Sequence, residues 1–254
     1  MKQFILNDGA IKDGKVRLTG RDYRYLVQVR RLAPGEYFPA ILPDGTEAAV
    51  RVCSVGNHAV TGEIAQRETG PDPALPPVIL FQALPKGDKM DLIIRQAAEG
   101  GLAEIVPFIS EFSMMKQADR SRLKLSRWER IIKEARQQSG SATATLIRQP
   151  VSLDSLFSYW DGFKGRSGTL GILFHHLPLA NESIHHYLSS IPTTVVLTIG
   201  PEGGFSPAEA ERFLAAGFKP FMVKGTILRT ETAALYAQAA VRVLLLEKDS
   251  WVTK

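Results

Sequence analysis

The sequence is poor in the residues from which disulfides, metal clusters and membrane spans are built. Its 254 residues include one cysteine, Cys53, which excludes a disulfide or a thiolate metal cluster within the chain. His185 and His186 are neighbours, but no further ligand follows them at a patterned spacing, so we expect no metal site. No apolar run approaches the ~18 residues of a membrane helix, and we predict no membrane partner. Asp8 interrupts the first ten residues before a signal-type apolar segment builds up, so the cytoplasm is the expected compartment.

Positive charge exceeds negative charge and is unevenly distributed. The net charge is +5, and residues 116–148 contain nine lysines and arginines against three acidic residues. A solvated helix face is the usual meaning of such a run, and contact with a phosphate backbone is the alternative. A second basic segment, DYRYLVQVRRL, combines Arg24, Arg30 and Arg31 with Tyr25, a set suited to phosphate binding and base stacking on RNA.

The first 70 residues have the pattern of a small β-domain. Asp13-Gly14 and Asp44-Gly45 each interrupt an apolar segment, and this dipeptide favours a tight hairpin turn. Between them we expect a short helix that ends at Pro34-Gly35. Residues 70–77 then contain four prolines. We therefore predict a barrel-like β-module at 1–70, a proline-rich linker at 71–77 and a second domain at 78–254.

After Pro77, apolar runs of strand length alternate with amphipathic helical segments. Examples are VILFQAL, EIVPFI and TTVVLTI, which are apolar throughout rather than alternately polar and apolar. Such strands are buried on both faces of a sheet. The pattern predicts an α/β domain in which helices cover a mostly parallel sheet.

The segment IGPEGGFS, residues 199–206, joins one of these strands to a helix. Ser206 is a suitable N-cap, and Glu209 completes a capping box. The loop thus follows the carboxyl end of a strand, where α/β sheets bind ligands, and Gly203-Gly204 permits close approach of the backbone. It matches neither the G-x-G-x-x-G nor the P-loop pattern. These residues alone leave a tight connection and a ligand-binding loop as open alternatives.

Two further segments end strands in the same manner. In VKGTILRTETAAL, residues 223–235, a glycine loop precedes a helix that Thr230 could cap. Arg229 lies at the helix start, where the helix dipole disfavours a cation, so either a surface ion pair or an anionic or carbonyl-bearing ligand accounts for it. The run LFHH ends another strand, and His175 is either an acid–base group or a hydrogen-bonded bystander.

Together with LPKGDKMDLIIRQAAE (84–99) and SRWERIIKEARQQSG (126–140), these segments resemble the ribosomal RNA small-subunit uracil-N3 methyltransferases, the RsmE family within the SPOUT class. The resemblance covers nearly the whole chain, and IGPEGGFSPAE with ILRTETAAL carries it most specifically. It implies a PUA-like RNA-binding barrel followed by an α/β domain with a deep trefoil knot. It also implies S-adenosyl-L-methionine as cofactor, a homodimer, and small-subunit ribosomal RNA or the assembled small subunit as partner.

The resemblance places the cofactor on three loops, residues 174–176, 200–205 and 224–230. The candidate cofactor contacts are Phe174, His175, Ile199, Gly200, Glu202, Gly203, Gly204, Gly225, Ile227, Leu228, Arg229 and Thr230. The candidate RNA contacts are Arg21, Arg24, Tyr25, Arg30, Arg31, Lys86 and Arg136.

The candidate catalytic residues are Arg229, Glu202 and Glu231. Methylation of uracil N3 removes a weakly acidic proton, and negative charge develops on the uracil carbonyl oxygens, where a guanidinium such as that of Arg229 is stabilising. Arginine is itself a poor proton acceptor, because it stays protonated. The proton acceptor could be Glu202, Glu231, His175 or a water, and the sequence does not choose among them. The alternative function is a non-catalytic RNA-binding ribosome-assembly factor that retains the fold. A nicotinamide-dependent oxidoreductase would need a G-x-G-x-x-G segment, which the sequence lacks.

Overall fold

The computed structural model describes residues 3–6, 8–67, 75–113, 121–164, 167–176 and 182–247. Contacts between residues divide the chain into two units, Met1–Pro73 with Lys133–Ala144, and Ala74–Ile132 with Thr145–Lys254. The first unit therefore includes a segment from the middle of the chain that the sequence did not assign to it. Residues 71–74 of the predicted linker lie outside the described residues, so the boundaries 1–70, 71–77 and 78–254 stay predictions.

The first unit contains a six-stranded sheet. Its strands are β1 (Phe4–Ile5), β2 (Ile11–Lys12), β3 (Lys15–Thr19), β4 (Tyr37–Ile41), β5 (Glu47–Val55) and β6 (Ala59–Arg67). They lie in the order β1-β4-β5-β6-β3-β2, and every neighbouring pair is antiparallel except β1 with β4. Val16 and Leu18 of β3 are buried and alternate with exposed residues, so one face of this strand packs into the core.

Both predicted hairpins are present in this sheet. Asp13 and Gly14 have positive φ angles of 52° and 74°, as a two-residue turn between antiparallel strands requires. The second turn is longer, because β4 ends at Ile41 and β5 begins at Glu47, and Gly45 supplies its positive φ of 85°.

The predicted helix is short and ends before Pro34-Gly35. An α-helical turn, α1 (Gly20–Arg24), continues as a π-helical segment, Tyr25–Val29. Arg31 then has a φ of 54°, a left-handed conformation that stops the helix.

The second unit contains a seven-stranded sheet. Its strands are β7 (Val78–Ala83), β8 (Glu104–Ile109), β9 (Leu146–Ile147), β10 (Val151–Ser152), β11 (Thr169–Phe174), β12 (Thr194–Ile199) and β13 (Lys219–Phe221). The order is β10-β8-β7-β12-β11-β13, with β9 also on β8, and every pairing is parallel. All residues of β7 and β12 are buried, which confirms the predicted α/β domain with a mostly parallel sheet.

Six further helices follow α1 in the described part of the chain. They are α2 (Lys89–Glu99), α3 (Ser121–Ser139), α4 (Leu153–Lys164), α5 (Ile184–Tyr187), α6 (Pro207–Ala215) and α7 (Thr230–Leu246). The sequence prediction missed α4, although Leu153, Leu156, Phe157 and Trp160 have the i, i+3, i+4, i+7 spacing of an amphipathic helix. Leu156 and Trp160 are buried in the hydrophobic core of the second unit.

The basic run at residues 116–148 contains the helix α3. One face of this helix is apolar and buried, at Trp128, Ile131, Ile132 and Ala135. Among the described helices, none has the length and apolar character needed to cross a bilayer.

Candidate functional site

Three parallel strands end at one edge of the second unit's sheet. β12, β11 and β13 are adjacent in that order, so the segments that follow them meet beyond their carboxyl ends. These segments and the first turn of α7 enclose a cavity of about 440 Å³. Small-molecule sites in proteins usually have volumes of ~300–1,000 Å³. The cavity is therefore large enough for a cofactor-sized ligand.

Most of the predicted cofactor contacts line this cavity. They are Phe174, His175, Ile199, Gly200, Glu202, Gly203, Gly204, Ile227, Leu228, Arg229 and Thr230. Gly225 and the candidate catalytic Glu231 are not among the lining residues. The cavity also reaches Phe221, Val223 and Ala233, which lie just outside the predicted loops. The apolar run PFMV at the end of β13 was the signal that could have extended the prediction.

The glycine loop ends in the predicted helix cap. Ser206 accepts a hydrogen bond from the backbone N–H of Glu209, and the Glu209 carboxylate accepts one from the backbone N–H of Ser206, which confirms the capping box. Gly204 has a φ of 70°, and a Cβ at this position would lie 3.2 Å from Nδ1 of His176. Glycine is thus needed here both for the backbone conformation and for the space.

Glu202 is hydrogen-bonded to the start of α2 and to the segment before it. Its Oε1 accepts hydrogen bonds from the backbone N–H of Lys86 at 3.1 Å and from Nζ of Lys89 at 2.7 Å. Burial opposes ionisation of Glu202, but hydrogen bonds from Lys89 and from backbone amides outweigh it and hold the pKa of this carboxyl below its usual range. The same hydrogen bond to Glu202 raises the pKa of Lys89. The pair therefore stays ionised near neutral pH.

Lys89 also links the glycine loop to α7. Its Nζ lies 3.7 Å from Oε2 of Glu231, whose side chain is 14% exposed. The sequence prediction did not include Lys89, although it lies in the LPKGDKMD segment of the resemblance. Arg229, two residues before Glu231, is exposed and lines the cavity. Glu202 and Arg229 thus line the cavity. Lys89 and Glu231 are not among the lining residues, and Lys89 pairs with both carboxylates.

The predicted cap of α7 is wrong, and the structure assigns Thr230 a different partner. The N-cap is Arg229, with no capping side-chain hydrogen bond, and Thr230 is the first helical residue. The Thr230 hydroxyl instead donates to the backbone carbonyl of Gly200 at 2.6 Å and accepts from Nε2 of Gln82 at 3.0 Å. Gln82 is fully buried on β7. The hydroxyl therefore joins α7 to the glycine loop. It bonds these distant residues instead of capping its own helix.

The candidate RNA contacts differ in how accessible they are. Arg24, Arg31 and Lys86 are exposed, whereas Tyr25 and Arg30 are partly buried. Arg21 is exposed and pairs with Glu134, with 2.7 Å between Nη1 and Oε1. Arg136 donates to the backbone carbonyls of Ser141 and Ala142, and burial lowers the pKa of its guanidinium. Their contacts with RNA stay predictions, and Arg136 has a structural role as well.

Within the described ranges, no group of three or more histidine, cysteine, aspartate or glutamate side chains is arranged to hold a metal ion.

Comparisons with known proteins agree on one family. A family model described as an RNA methyltransferase domain matches residues 73–242. The chain is 30% identical over 230 residues to ribosomal RNA small subunit methyltransferase E of Bacillus subtilis, with 88% of each chain covered. It is 31% identical over 245 residues to the protein of the same name from Synechocystis, with 96% of this chain and 78% of that protein covered.

A solved structure of ribosomal RNA small subunit methyltransferase E from Neisseria gonorrhoeae, bound to S-adenosyl methionine, is also similar. It matches with a TM-score of 0.79 at 26% identity and covers 96% of this chain and 98% of that chain. The similarity thus extends over both units of the chain.

Proposed function

The chain belongs to the RNA methyltransferase family that includes the ribosomal RNA small subunit methyltransferases E, and we propose that it transfers a methyl group from S-adenosylmethionine to N3 of a uracil in 16S ribosomal RNA. The observation that carries this proposal is the cavity at the ends of β11, β12 and β13, which is lined by a glycine-rich loop and by Arg229. The relatives' names supply the substrate class, and the resemblance supplies the methylated atom.

The residues of the cavity fit S-adenosylmethionine. Gly200, Gly203 and Gly204 let the backbone approach a ligand closely, and Phe174, Phe221 and Leu228 provide apolar lining. Residues of the three loops, at 174–176, 199–205 and 221–230, would hold the cofactor. When bound, the cofactor supplies an electrophilic methyl group, and the protein supplies orientation and electrostatics.

Arg229 is the proposed stabiliser of the reacting uracil. Because N3 lies on the Watson–Crick edge, the base must be unpaired before it enters the cavity. As N3 loses its proton, negative charge spreads onto the carbonyl oxygens of the base. A guanidinium at the cavity wall stabilises that charge and stays protonated throughout.

Glu202 is better suited to an anchoring role than to proton transfer. Its carboxylate is hydrogen-bonded to Lys86 and Lys89, and these interactions stabilise the ionised form and make it a weaker base. Glu231, His175 and a water remain the candidates for the proton acceptor. In this proposal Glu202 holds the glycine loop in place while one of these groups takes the proton.

The finer features of the fold are also proposals. We propose that the sheet of the first unit is a PUA-like RNA-binding domain that presents the exposed Arg24 and Arg31 to RNA. We propose that the second unit contains a deep trefoil knot. The support is that β13 lies on the far side of β11, yet the chain returns so that Thr230 bonds Gly200 at the end of β12.

A homodimer in the cytoplasm is the proposed working state. α2 and α7 pack against each other, and they leave large apolar side chains exposed. These are Leu92, Leu235, Tyr236, Val243 and Leu246. A second copy of the chain that covers this face would remove it from water.

The decisive experiment compares wild type with Arg229→Ala in methyl transfer from labelled S-adenosylmethionine. The substrates are naked 16S ribosomal RNA and assembled small subunits from cells that lack this protein, and the modified nucleotide is mapped. We expect Arg229→Ala to abolish transfer while cofactor affinity, measured by calorimetry, stays within about tenfold, ~1.4 kcal/mol, of wild type.

Arg212→Ala is the matched control, because Arg212 is an exposed arginine that pairs with Asp154 on the surface. It should retain wild-type turnover. Undiminished turnover in Arg229→Ala would remove that residue from the mechanism. Cofactor binding with no methylation of either substrate would instead favour a non-catalytic RNA-binding factor, and binding of NADH but not S-adenosylmethionine would overturn the proposed function.

A further inference from the structure

Phe112 is an exposed aromatic residue beside the cavity that the mechanism above does not use. Its side chain lies in the turn after β8 and is 46% exposed, unusual for a phenylalanine. It contacts the glycine loop closely, because a Cβ at Gly203 would lie 2.9 Å from Cβ and 3.2 Å from Cγ of Phe112. Gly203 itself lines the cavity. Phe112 therefore packs against a residue of the cavity lining without being a lining residue itself.

The turn that carries Phe112 is held by hydrogen bonds on both sides of it. Ser110 and Ser113 bond each other, through Ser113 N–H to the Ser110 carbonyl at 3.0 Å and through Ser110 N–H to Ser113 Oγ at 3.2 Å. The backbone N–H of Glu111 donates to Oε1 of Glu209 at 2.8 Å. These bonds hold the backbone of the turn from which the exposed ring projects.

Glu209 connects this turn to the glycine loop. Its side chain is buried, and its Oε2 accepts from the backbone N–H of Ser206 at 3.0 Å, at the exit of the loop. One carboxylate thus holds both the turn that presents Phe112 and the end of the loop that lines the cavity. Their relative position is set by a buried contact, as a preorganised binding surface requires.

We propose that Phe112 is a substrate-positioning residue whose ring stacks on the unpaired uracil as it enters the cavity. This inference rests on the proposed function, because methylation of N3 requires a base that has left its own stack. Aromatic rings commonly replace that lost stacking in proteins that bind single-stranded RNA. The lack of a side chain at Gly203 leaves room for the ring, since a Cβ there would lie 2.9 Å from Cβ of Phe112.

The test uses three variants of the full-length protein, Phe112→Ala, Phe112→Leu and Phe112→Trp. The first two remove the aromatic ring, and leucine keeps much of the apolar volume. We expect kcat/KM for RNA to fall about 5- to 150-fold in Phe112→Ala, the range for one stacked base, and nearly as much in Phe112→Leu. Phe112→Trp should retain activity. Affinity for S-adenosylmethionine and the thermal midpoint should stay unchanged in all three.

A substrate change distinguishes stacking from simple packing. A short RNA that carries 5,6-dihydrouracil at the target position keeps N3–H but has a non-planar ring that stacks poorly. Wild type should bind the uracil RNA more tightly than the dihydrouracil RNA, and Phe112→Ala should lose most of that preference. This binding measurement tests the proposal even if no methylation is found, so it is separable from failure of the proposed function.

Several results would overturn the proposal. Full kcat/KM in Phe112→Ala, full activity in Phe112→Leu, or an unchanged preference for uracil RNA in Phe112→Ala would each show that the ring does not stack on the base. A change in oligomeric state or in cofactor affinity in Phe112→Ala would assign the side chain to a subunit contact or to the cavity wall instead.

Discussion

Replacing Thr230 with valine should destabilise the second unit and loosen the cavity at the same time. Its hydroxyl donates to the carbonyl of Gly200 at 2.6 Å and accepts from Nε2 of Gln82 at 3.0 Å. Valine has nearly the same shape and can make neither bond. The Gly200 carbonyl then loses this donor, whereas Gln82 keeps its hydrogen bond to the carbonyl of Ala83 at 2.9 Å.

The size of the expected loss of stability follows from how deeply Thr230 and Gln82 are buried. Thr230 is 4% exposed and Gln82 is fully buried, so water cannot readily replace the hydroxyl. A buried polar group left without its partner costs ~1–3 kcal/mol, which is a factor of about 5 to 150 in the unfolding equilibrium constant. Because Gly200 lines the cavity, its carbonyl and the loop behind it are also less well positioned, and S-adenosylmethionine should bind more weakly.

The assay is unfolding in guanidinium chloride followed by tryptophan fluorescence. Trp128 and Trp160 are buried in the second unit and report on its unfolding. Thr232→Val is the matched control, because Thr232 is an exposed threonine in the same helical turn. Thr230→Ser keeps the hydroxyl and should recover most of the loss. A destabilisation in Thr230→Val no larger than in Thr232→Val would refute the reasoning.

Two further predictions concern the glycine loop. Because the folded pKa of Glu202 lies below its ordinary value of 4.5, its ionised form stabilises the protein above about pH 4.5 and loses that effect as pH falls through the folded pKa. The difference in free energy of unfolding between wild type and Glu202→Gln should therefore be steady near neutral pH and shrink in acid, and a constant difference would contradict the ion pair with Lys89. Gly204→Ala should cost ~1–2 kcal/mol from its left-handed backbone and also weaken cofactor binding, since the new Cβ meets His176. Gly217 is the matched control, because its φ is 94° and a Cβ there would have no neighbour within 4 Å. Gly217→Ala should lose similar stability and keep its affinity for the cofactor. Equal losses of cofactor affinity in the two variants would reject a role for the His176 contact.

Local sequence patterns were sufficient to predict most of the helices and strands of the second unit. The runs that became β7 and β12 are apolar at nearly every position, and such strands belong in the middle of a parallel sheet. The Ser206–Glu209 capping box was predictable because both of its hydrogen bonds join residues three apart. The turn at Asp13-Gly14 follows from the positive φ angles that these two residues tolerate.

Where local preference competed with a distant partner, the sequence prediction was wrong or incomplete. Thr230 has the chemistry of an N-cap, yet its hydroxyl bonds Gly200, thirty residues away, and Gln82. Arg136, a candidate RNA contact, also donates to the carbonyls of Ser141 and Ala142, which the sequence prediction did not include. Lys89 went unnoticed because nothing local distinguishes it from any other lysine at a helix start.

The sequence by itself determined the class of the second domain, the three strand-end loops and the residues that line most of the cavity. The domain class and the loops depend on hydrophobic burial and on backbone preferences that act over a few residues, whereas the lining residues came from the resemblance to a known family. Only the tertiary structure showed which distant segments lie next to each other. Examples are the strand order β12-β11-β13, the bond between Glu202 and Lys89, and the contact of Phe112 with Gly203. Those contacts join residues about 90 or more positions apart in two of the three cases, and such pairings arise from packing the whole sheet rather than from any local pattern.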